Sequence, residues 1–228
     1  MQLLVSPSSI EEARRSGAAD IIDVKKPSEG SLGANFPWVI REIKGFAKKP
    51  VSAAIGDFPF KPGGASLAAY GAACAGADYV KIGLAFDGPD RAREVISAVV
   101  KAVKDEFPKK IVVISGYSDY ERMGSISPFA MAPVVADCGA DIAMLDTGIK
   151  DGRSTFSFMD EGTLRSFVEQ NKKLGLKSAL AGSLKFEDLD ALKRINPDII
   201  GVRGMVCGGD RNATIREDLV TAALDRIR

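Results

Sequence analysis

The feature that most limits how this chain can fold is an aspartate followed by a short apolar run, which occurs four times. Asp20, Asp78, Asp141 and Asp198 open the strings DIIDVK, DYVKIG, DIAMLD and DIIGVR. Two and four residues beyond each Asp stand Ile22 and Val24, Val80 and Ile82, Ala143 and Leu145, and Ile200 and Val202, all apolar. Side chains alternate faces along a strand, so these positions form one apolar face. Three and five residues on stand Asp23 and Lys25, Lys81 and Gly83, Met144 and Asp146, and Gly201 and Arg203. In a closed barrel the apolar set packs beneath helices and the other set points inward, where alternate strands share layers. Lys25, Asp146 and Arg203 have one offset and are expected in one layer near the strand ends, with Lys81 a layer deeper.

Other β-branched runs and amphipathic segments fill the space between these strings. The strand candidates are Leu3–Ser6, Ile21–Lys25, Val51–Ile55, Tyr79–Gly83, Ile111–Ser115, Ile142–Asp146, Lys177–Ala181 and Ile199–Arg203. Helical patterns follow each of them: Ser8–Ser16, Pro37–Phe46, Ser66–Ala75, Pro89–Glu106, Pro128–Cys138, Asp160–Leu174, Phe186–Arg194 and Ile215–Ile227. Ser8 is placed to cap the first helix, and proline opens the second, fourth and fifth. Eight βα units with no leftover segment predict an α/β protein, a single-domain (β/α)8 TIM barrel over 1–228, in preference to an open doubly wound sheet.

Composition narrows the chemistry. The chain has no histidine, which excludes Ser-His-Asp and Cys-His triads and the zinc sites that rely on His. Proton transfer therefore falls to Asp, Glu, Lys, Tyr, Cys or water. The 31 Lys and Arg nearly balance the 30 Asp and Glu, so neither nucleic acid nor an anionic membrane surface is an expected partner. Met1 leads into a strand-like run with no basic and apolar leader, so no signal peptide is expected. No apolar stretch approaches the roughly 20 residues of a membrane span. Cys74, Cys138 and Cys207 are widely spaced and odd in number, in keeping with reduced thiols and a cytoplasmic location.

Lys25 is the candidate nucleophile, because burial and neighbouring cations depress a lysine pKa until the neutral amine is available. Lys81 and Lys150 are candidate cationic neighbours, and Asp23 lies two residues away on the same face. Asp146, ending the sixth strand, is a candidate general acid or base, or a partner that only holds the lysines. Taken alone, Lys150 in the following loop reads as a solvated lysine. The competing account of all these charges is a structural ion-pair network plugging the barrel, since buried charge is costly unless paired.

Two loops suit phosphate. Gly182-Ser183 follows the seventh strand, and Gly204 with Gly208 and Gly209 follows the eighth, where barrels commonly bind phosphate through backbone N–H groups. Arg203 or Arg211 would add a bidentate contact. Ordinary turn chemistry is the alternative for these glycines. The long segment from Lys26 to Pro37 reads equally as a lid or a plain surface loop. Tyr117 and Asp119 offer further hydrogen-bonding groups, and Cys207 reads as a small filler more than a reactive thiol.

The strings LLVSP, DIIDVKKPSEGSLGANFPWVI, YVKIGL, AMLDTGIKDG, ALAGS, GVRG and GGDRN, spread from Leu3 to Asn212, resemble the (5-formylfuran-3-yl)methyl phosphate synthase family of methanogens and methylotrophic bacteria. The resemblance implies a lyase that condenses two glyceraldehyde 3-phosphate molecules, with loss of phosphate and water, toward methanofuran or a related C1 carrier. It places the Schiff-base lysine at Lys25 beside Asp23, and other active-site positions at Lys81, Asp146 and Lys150. The inward-face count reaches four of these five; Lys150 rests on the resemblance. Lys26-Pro27 departs from an Asn-Pro in an archaeal member and adds a positive charge next to the nucleophile. No metal or cofactor is expected, the substrate is a small phosphorylated sugar, and a homo-oligomer would be in keeping with such barrels. Two other readings stand beside this one. One is a metal-free phosphosugar or nucleotide decarboxylase using Asp-x-Lys without an imine; the other is a non-catalytic barrel that binds a phosphorylated metabolite.

Overall fold

The alternating faces close on themselves. In a computed structural model that describes residues 1–228, eight parallel strands pair in sequence order to form a closed barrel. They are β1 (Gln2–Val5), β2 (Ile21–Val24), β3 (Val51–Phe58), β4 (Tyr79–Leu84), β5 (Ile111–Tyr117), β6 (Ile142–Asp146), β7 (Lys177–Leu180) and β8 (Ile199–Val202). The helices are α1 (Ile10–Arg15), α2 (Pro37–Phe46), α3 (Pro62–Cys74), α4 (Pro89–Lys104), α5 (Tyr120–Met123), α6 (Pro128–Asp137), α7 (Glu161–Lys173), α8 (Leu189–Ile195) and α9 (Glu217–Ile227). Closure is made by β1 against β8, with Leu3 beside Ile200 and Val5 beside Val202.

All eight apolar residues of the repeat lie in the core between barrel and helices. The opposite face is layered. Ile21, Ile142 and Ile199 join Leu4, Val113, Met144, Ala179 and Ala181 in a separate apolar cluster inside the barrel, with Tyr79 packed against it. This dry floor leaves Asp23, Lys81, Lys25 and Asp146 above it, toward the C-terminal ends of the strands.

The four repeat aspartates have a structural task at the other rim. Asp20, Asp78, Asp141 and Asp198 each turn back to accept a backbone N–H near the start of the preceding odd-numbered strand. The donors are Leu3 (2.9 Å), Val51 (2.8 Å), Val112 (2.7 Å) and Ser178 (2.8 Å). These amides lie where the ladder begins, and an amide left without a partner there costs about 1–3 kcal/mol. Asp141 also pairs with Lys104 at 2.8 Å. Asp141→Ala is therefore expected to lower stability by about 1–3 kcal/mol in urea unfolding, with Asp141→Asn recovering part of the loss.

Several boundaries differ from expectation. Ser9 caps α1 in place of Ser8, accepting from Glu12 N at 3.2 Å. Ser8 instead donates through both N and Oγ to the Glu12 carboxylate, at 2.7 and 2.8 Å. Proline starts α3 at Pro62, ahead of the expected Ser66, because Pro fits a first helical turn. β3 and β5 run past their expected ends to Phe58 and Tyr117. β2, β7 and β8 stop one residue short of theirs, leaving Lys25, Ala181 and Arg203 just past the strands. The short α5 was not expected, and a 3-10 turn at Phe186–Asp188 precedes α8. No helix is long and apolar enough to cross a membrane.

Candidate active site

The C-terminal mouth of the barrel opens into a cavity of about 680 Å³ lined by Lys25, Lys81, Asp146 and Lys150 together with the loops after β7 and β8. That volume suits a small metabolite. The inward face of β2 brings Asp23 to the middle of the barrel, where it is fully enclosed. Its Oδ2 accepts from Lys81 Nζ at 2.6 Å and Ser6 Oγ at 2.9 Å, and its Oδ1 from Ser52 Oγ at 2.7 Å. Burial raises its pKa, but the positive charges of Lys81 and Lys25 and the hydrogen bonds outweigh that and hold the carboxyl below its ordinary range. Asp23 is thus a fixed anion that holds Lys81 upright from β4.

Asp146, at the end of β6, is held differently. Its Oδ1 accepts from Lys150 Nζ at 2.5 Å and from Thr147 N at 2.8 Å, which leaves Oδ2 without a protein donor. Burial again opposes ionisation, and Lys150 and Lys25 overcome it, so this carboxyl also sits below its usual range. Lys150 Nζ takes a second bond to Thr147 Oγ1 at 2.9 Å. The loop carrying it is clamped by Asp119, which accepts from Gly148 N at 2.6 Å and Ile149 N at 3.0 Å.

Lys25 stands apart from the other two lysines. It is 7% exposed, yet no carboxylate lies within ion-pair distance; its Nζ donates only to the Ser31 carbonyl, at 3.3 Å. Burial lowers its pKa most, Asp146 raises it, Lys81 and Lys150 lower it, and the net result is about 8. A pKa near 8 leaves roughly a tenth of the amine neutral at pH 7, against well under a thousandth at the ordinary value. Lys26 points outward to Glu29 at 2.7 Å and over the Phe36 ring, so its charge is directed away from Lys25.

The glycine loops line the same cavity through Gly182, Ser183, Gly204, Gly208 and Gly209. Gly182 has φ +99° and sits against Thr155 and Thr147, where a side chain would collide. Ser183 is left-handed at φ +50°, a strained conformation for a non-glycine residue of the kind that clusters at ligand sites. Arg203 also lines the cavity, but its guanidinium is engaged by the protein. It bonds Glu12 Oε2 at 2.9 Å, the Ser6 carbonyl at 2.8 Å and the Arg211 carbonyl at 2.7 Å. Its side chain ties the β8 loop to α1 and does not present a free fork to a phosphate, because the Glu12 carboxylate and the Ser6 and Arg211 carbonyls already occupy it. Arg211 reaches over the mouth to the Pro27 and Gly30 carbonyls. Lys185 and Arg216 line the outer cavity. Cys207 is buried, and burial pushes its thiol up to about 11. No three of Cys, Asp and Glu gather in a metal-binding group.

Ser6, Glu12, Ser52 and Thr147 were not singled out in the sequence. Ser52 sits at an inward position of β3 and Ser6 one residue past β1 at the same parity as inward Leu4, so extending the alternation count to the odd-numbered strands would have found them. Glu12 had no such signal.

A sequence profile of the 4-HFC-P synthase family matches residues 3–224. The chain belongs to this family. One relative, from Methanosarcina barkeri, is 60% identical over 225 residues, with 96% of each chain covered, and is named (5-formylfuran-3-yl)methyl phosphate synthase. Another of the same name, from Archaeoglobus fulgidus, is 52% identical, covering 100% of this chain and 99% of its own. Among solved structures, a 3-hexulose-6-phosphate synthase superposes with TM-score 0.69 at 21% identity, covering 98% of this chain and 99% of that one. At that identity the likeness concerns the fold alone. In this member of the 4-HFC-P synthase family, Lys25, Lys81, Asp146 and Lys150 line the mouth of the barrel, with Asp23 enclosed beneath them.

Proposed function

We propose that this chain condenses two molecules of glyceraldehyde 3-phosphate into (5-formylfuran-3-yl)methyl phosphate, through an imine on Lys25. The reading is carried by one observation: of the four lysines lining the cavity, Lys25 alone is buried without a carboxylate partner. Family membership supplies the product class. The neutral amine attacks the aldehyde of one triose phosphate, and loss of water gives an iminium that acidifies the neighbouring C–H. Asp146 fits the proton-transfer role better than Asp23, because it lines the cavity and its Oδ2 takes no hydrogen bond from the protein, while Asp23 already accepts three. The second triose loses phosphate from its C3 together with the C2 proton, and the enamine carbon adds at that C3, so the second aldehyde survives as the formyl group. The C2 hydroxyl of the second triose then closes on the imine carbon, and loss of water and of the Lys25 amine leaves the aromatic ring. Lys150 holds Asp146, Lys81 adds positive charge next to the amine, and backbone N–H groups of the two glycine loops receive phosphate.

Two measurements test this. Incubation with glyceraldehyde 3-phosphate alone should yield a furan chromophore and inorganic phosphate. Borohydride added during turnover should leave a triose adduct that mass mapping places on Lys25; an adduct elsewhere, or none, would sink the imine route.

The pH dependence has a definite sign. Only the neutral amine attacks, so kcat/KM should rise about tenfold per pH unit below the Lys25 pKa and level off above about 8. A profile that is flat from pH 6 to 9 would contradict the assignment.

A further inference from the structure

We propose that Asp57 is a positioning residue for Lys25, acting through the single peptide group that joins Ser31 to Leu32. The inference rests on the reading of Lys25 as the amine that captures the aldehyde. One face of the argument is covalent: the Ser31 carbonyl and the Leu32 N–H belong to the same planar unit. The carbonyl end accepts from Lys25 Nζ at 3.3 Å. The N–H end donates to both carboxylate oxygens of Asp57, at 3.0 and 3.2 Å. A rigid peptide is therefore held between a carboxylate and the nucleophilic amine, and fixing one end fixes the other.

Asp57 is itself held. Tyr117, fully buried at the end of β5, donates its hydroxyl to Asp57 Oδ1 at 2.5 Å. Burial first, and then the neighbouring Asp57 charge, keep that phenol protonated well above its ordinary range. Neither Asp57 nor Tyr117 lines the cavity, so both act on Lys25 from behind. The arrangement accounts for an oddity of the repeat: the position that holds Lys25, Asp146 and Arg203 on the other even-numbered strands is Gly83 on β4. A side chain there would run into the Tyr117 hydroxyl, the Leu32 side chain and Asp57 Oδ1. The fourth place in the upper layer is left empty of side chain so that the Tyr117–Asp57–Leu32 chain can pass through it.

Ser31 and Leu32 are both buried, and the peptide between them covers one side of the amine, which is 7% exposed. A second tether, Ser31 Oγ to the Thr147 carbonyl at 2.8 Å, closes the segment onto the β6 loop. The charged groups facing Lys25 are Asp23 on its own strand side, Lys81 from β4, and Asp146 and Lys150 from β6 and its loop. Those facing the Asp57–Tyr117 pair are Asp119, Asp146 and Arg211. Because burial is the largest influence on Lys25, releasing the peptide lets water reach the amine and returns it toward its ordinary basicity.

The test reads Lys25 directly in the full chain. Reductive methylation by formaldehyde and cyanoborohydride, mapped on Lys25 by mass spectrometry across pH, gives the midpoint of amine reactivity. The wild-type midpoint is expected at about 8. Asp57→Ala should move it upward by about one pH unit or more and lower kcat by about 10- to 100-fold with KM little changed, since a misplacement of about 1 Å can cost that much. Asp57→Asn keeps an oxygen for Leu32 N and an NH₂ for the tyrosine oxygen, and should restore most of both readouts. A role confined to stability would change the urea midpoint of Asp57→Ala and leave the Lys25 profile in place, and that result overturns the proposal. If Asp57→Ala does not fold, Tyr117→Phe takes the same readouts; an unmoved Lys25 profile there also overturns it. Failure of the wild type to form a triose adduct on Lys25 would instead defeat the imine reading, and the methylation profile would still judge Asp57.

Discussion

Lys25→Ala is expected to reduce furan formation by about 10⁴-fold or more, because it removes the covalent tether and with it much of the roughly 7–11 kcal/mol that holding reactants together contributes. Lys25→Arg should be equally inactive. It preserves the positive charge among Lys81, Lys150, Asp23 and Asp146 but offers no neutral amine at accessible pH. The pair of variants separates nucleophile from counter-charge: recovery of turnover in Lys25→Arg would show that only the charge is used. Progress curves followed by furan absorbance and phosphate release check both, and borohydride should trap no triose on either variant.

The second large effect is expected at Asp146. Asp146→Asn keeps the shape and an acceptor for Thr147 N but loses the proton-transferring oxygen, so kcat should fall by about 10²–10⁴-fold. A second change accompanies the first. The Asp146 charge raises the Lys25 pKa, so removing it leaves the amine facing Lys81 and Lys150 with Asp23 as the one remaining carboxylate. The Lys25 amine should then titrate below about 8, and the rising limb of the pH–rate profile should shift to lower pH while its plateau drops. A lower plateau with no shift would place Asp146 away from Lys25, against the geometry. Loss of activity through lost substrate affinity alone would reassign Asp146 from proton transfer to binding.

The barrel and its inward charges were legible because the sequence repeats itself on one period. A strand buried against helices on one side and filled with charge on the other writes both facts into alternate residues, and four such strands fix the registry of the rest. Lys150 was not legible from the residues, since a loop lysine carries no periodicity; its place depends on Asp119 gripping Gly148 and Ile149 from another strand end. Arg203 was expected beside Lys25 because the offset is right, but the buried Glu12 carboxylate on α1 draws its side chain away. Asp57 was hidden for a related reason. The expected third strand stops at Ile55, whereas β3 continues to Phe58 through an irregularity between Ala54 and Asp57, with Gly56 at φ +131°. Local pattern shows where a strand should be, and cannot show where a strand persists through a break because its neighbour pairs with it.

The aspartate clamps on the lower rim divide the molecule into four quarters of similar build, β1β2, β3β4, β5β6 and β7β8. Each clamp joins residues no more than about thirty positions apart, so a quarter can complete its own lower seam while later parts of the chain are still being made on the ribosome. Short-range seams of this kind form early, and contacts between distant segments form slowly. One seam has no such shortcut: β1 meets β8 across nearly the whole chain. The lysines and carboxylates of the upper mouth, all carried by β2, β4, β6 and their loops, are therefore enclosed by a closed wall only when the last quarter docks on the first.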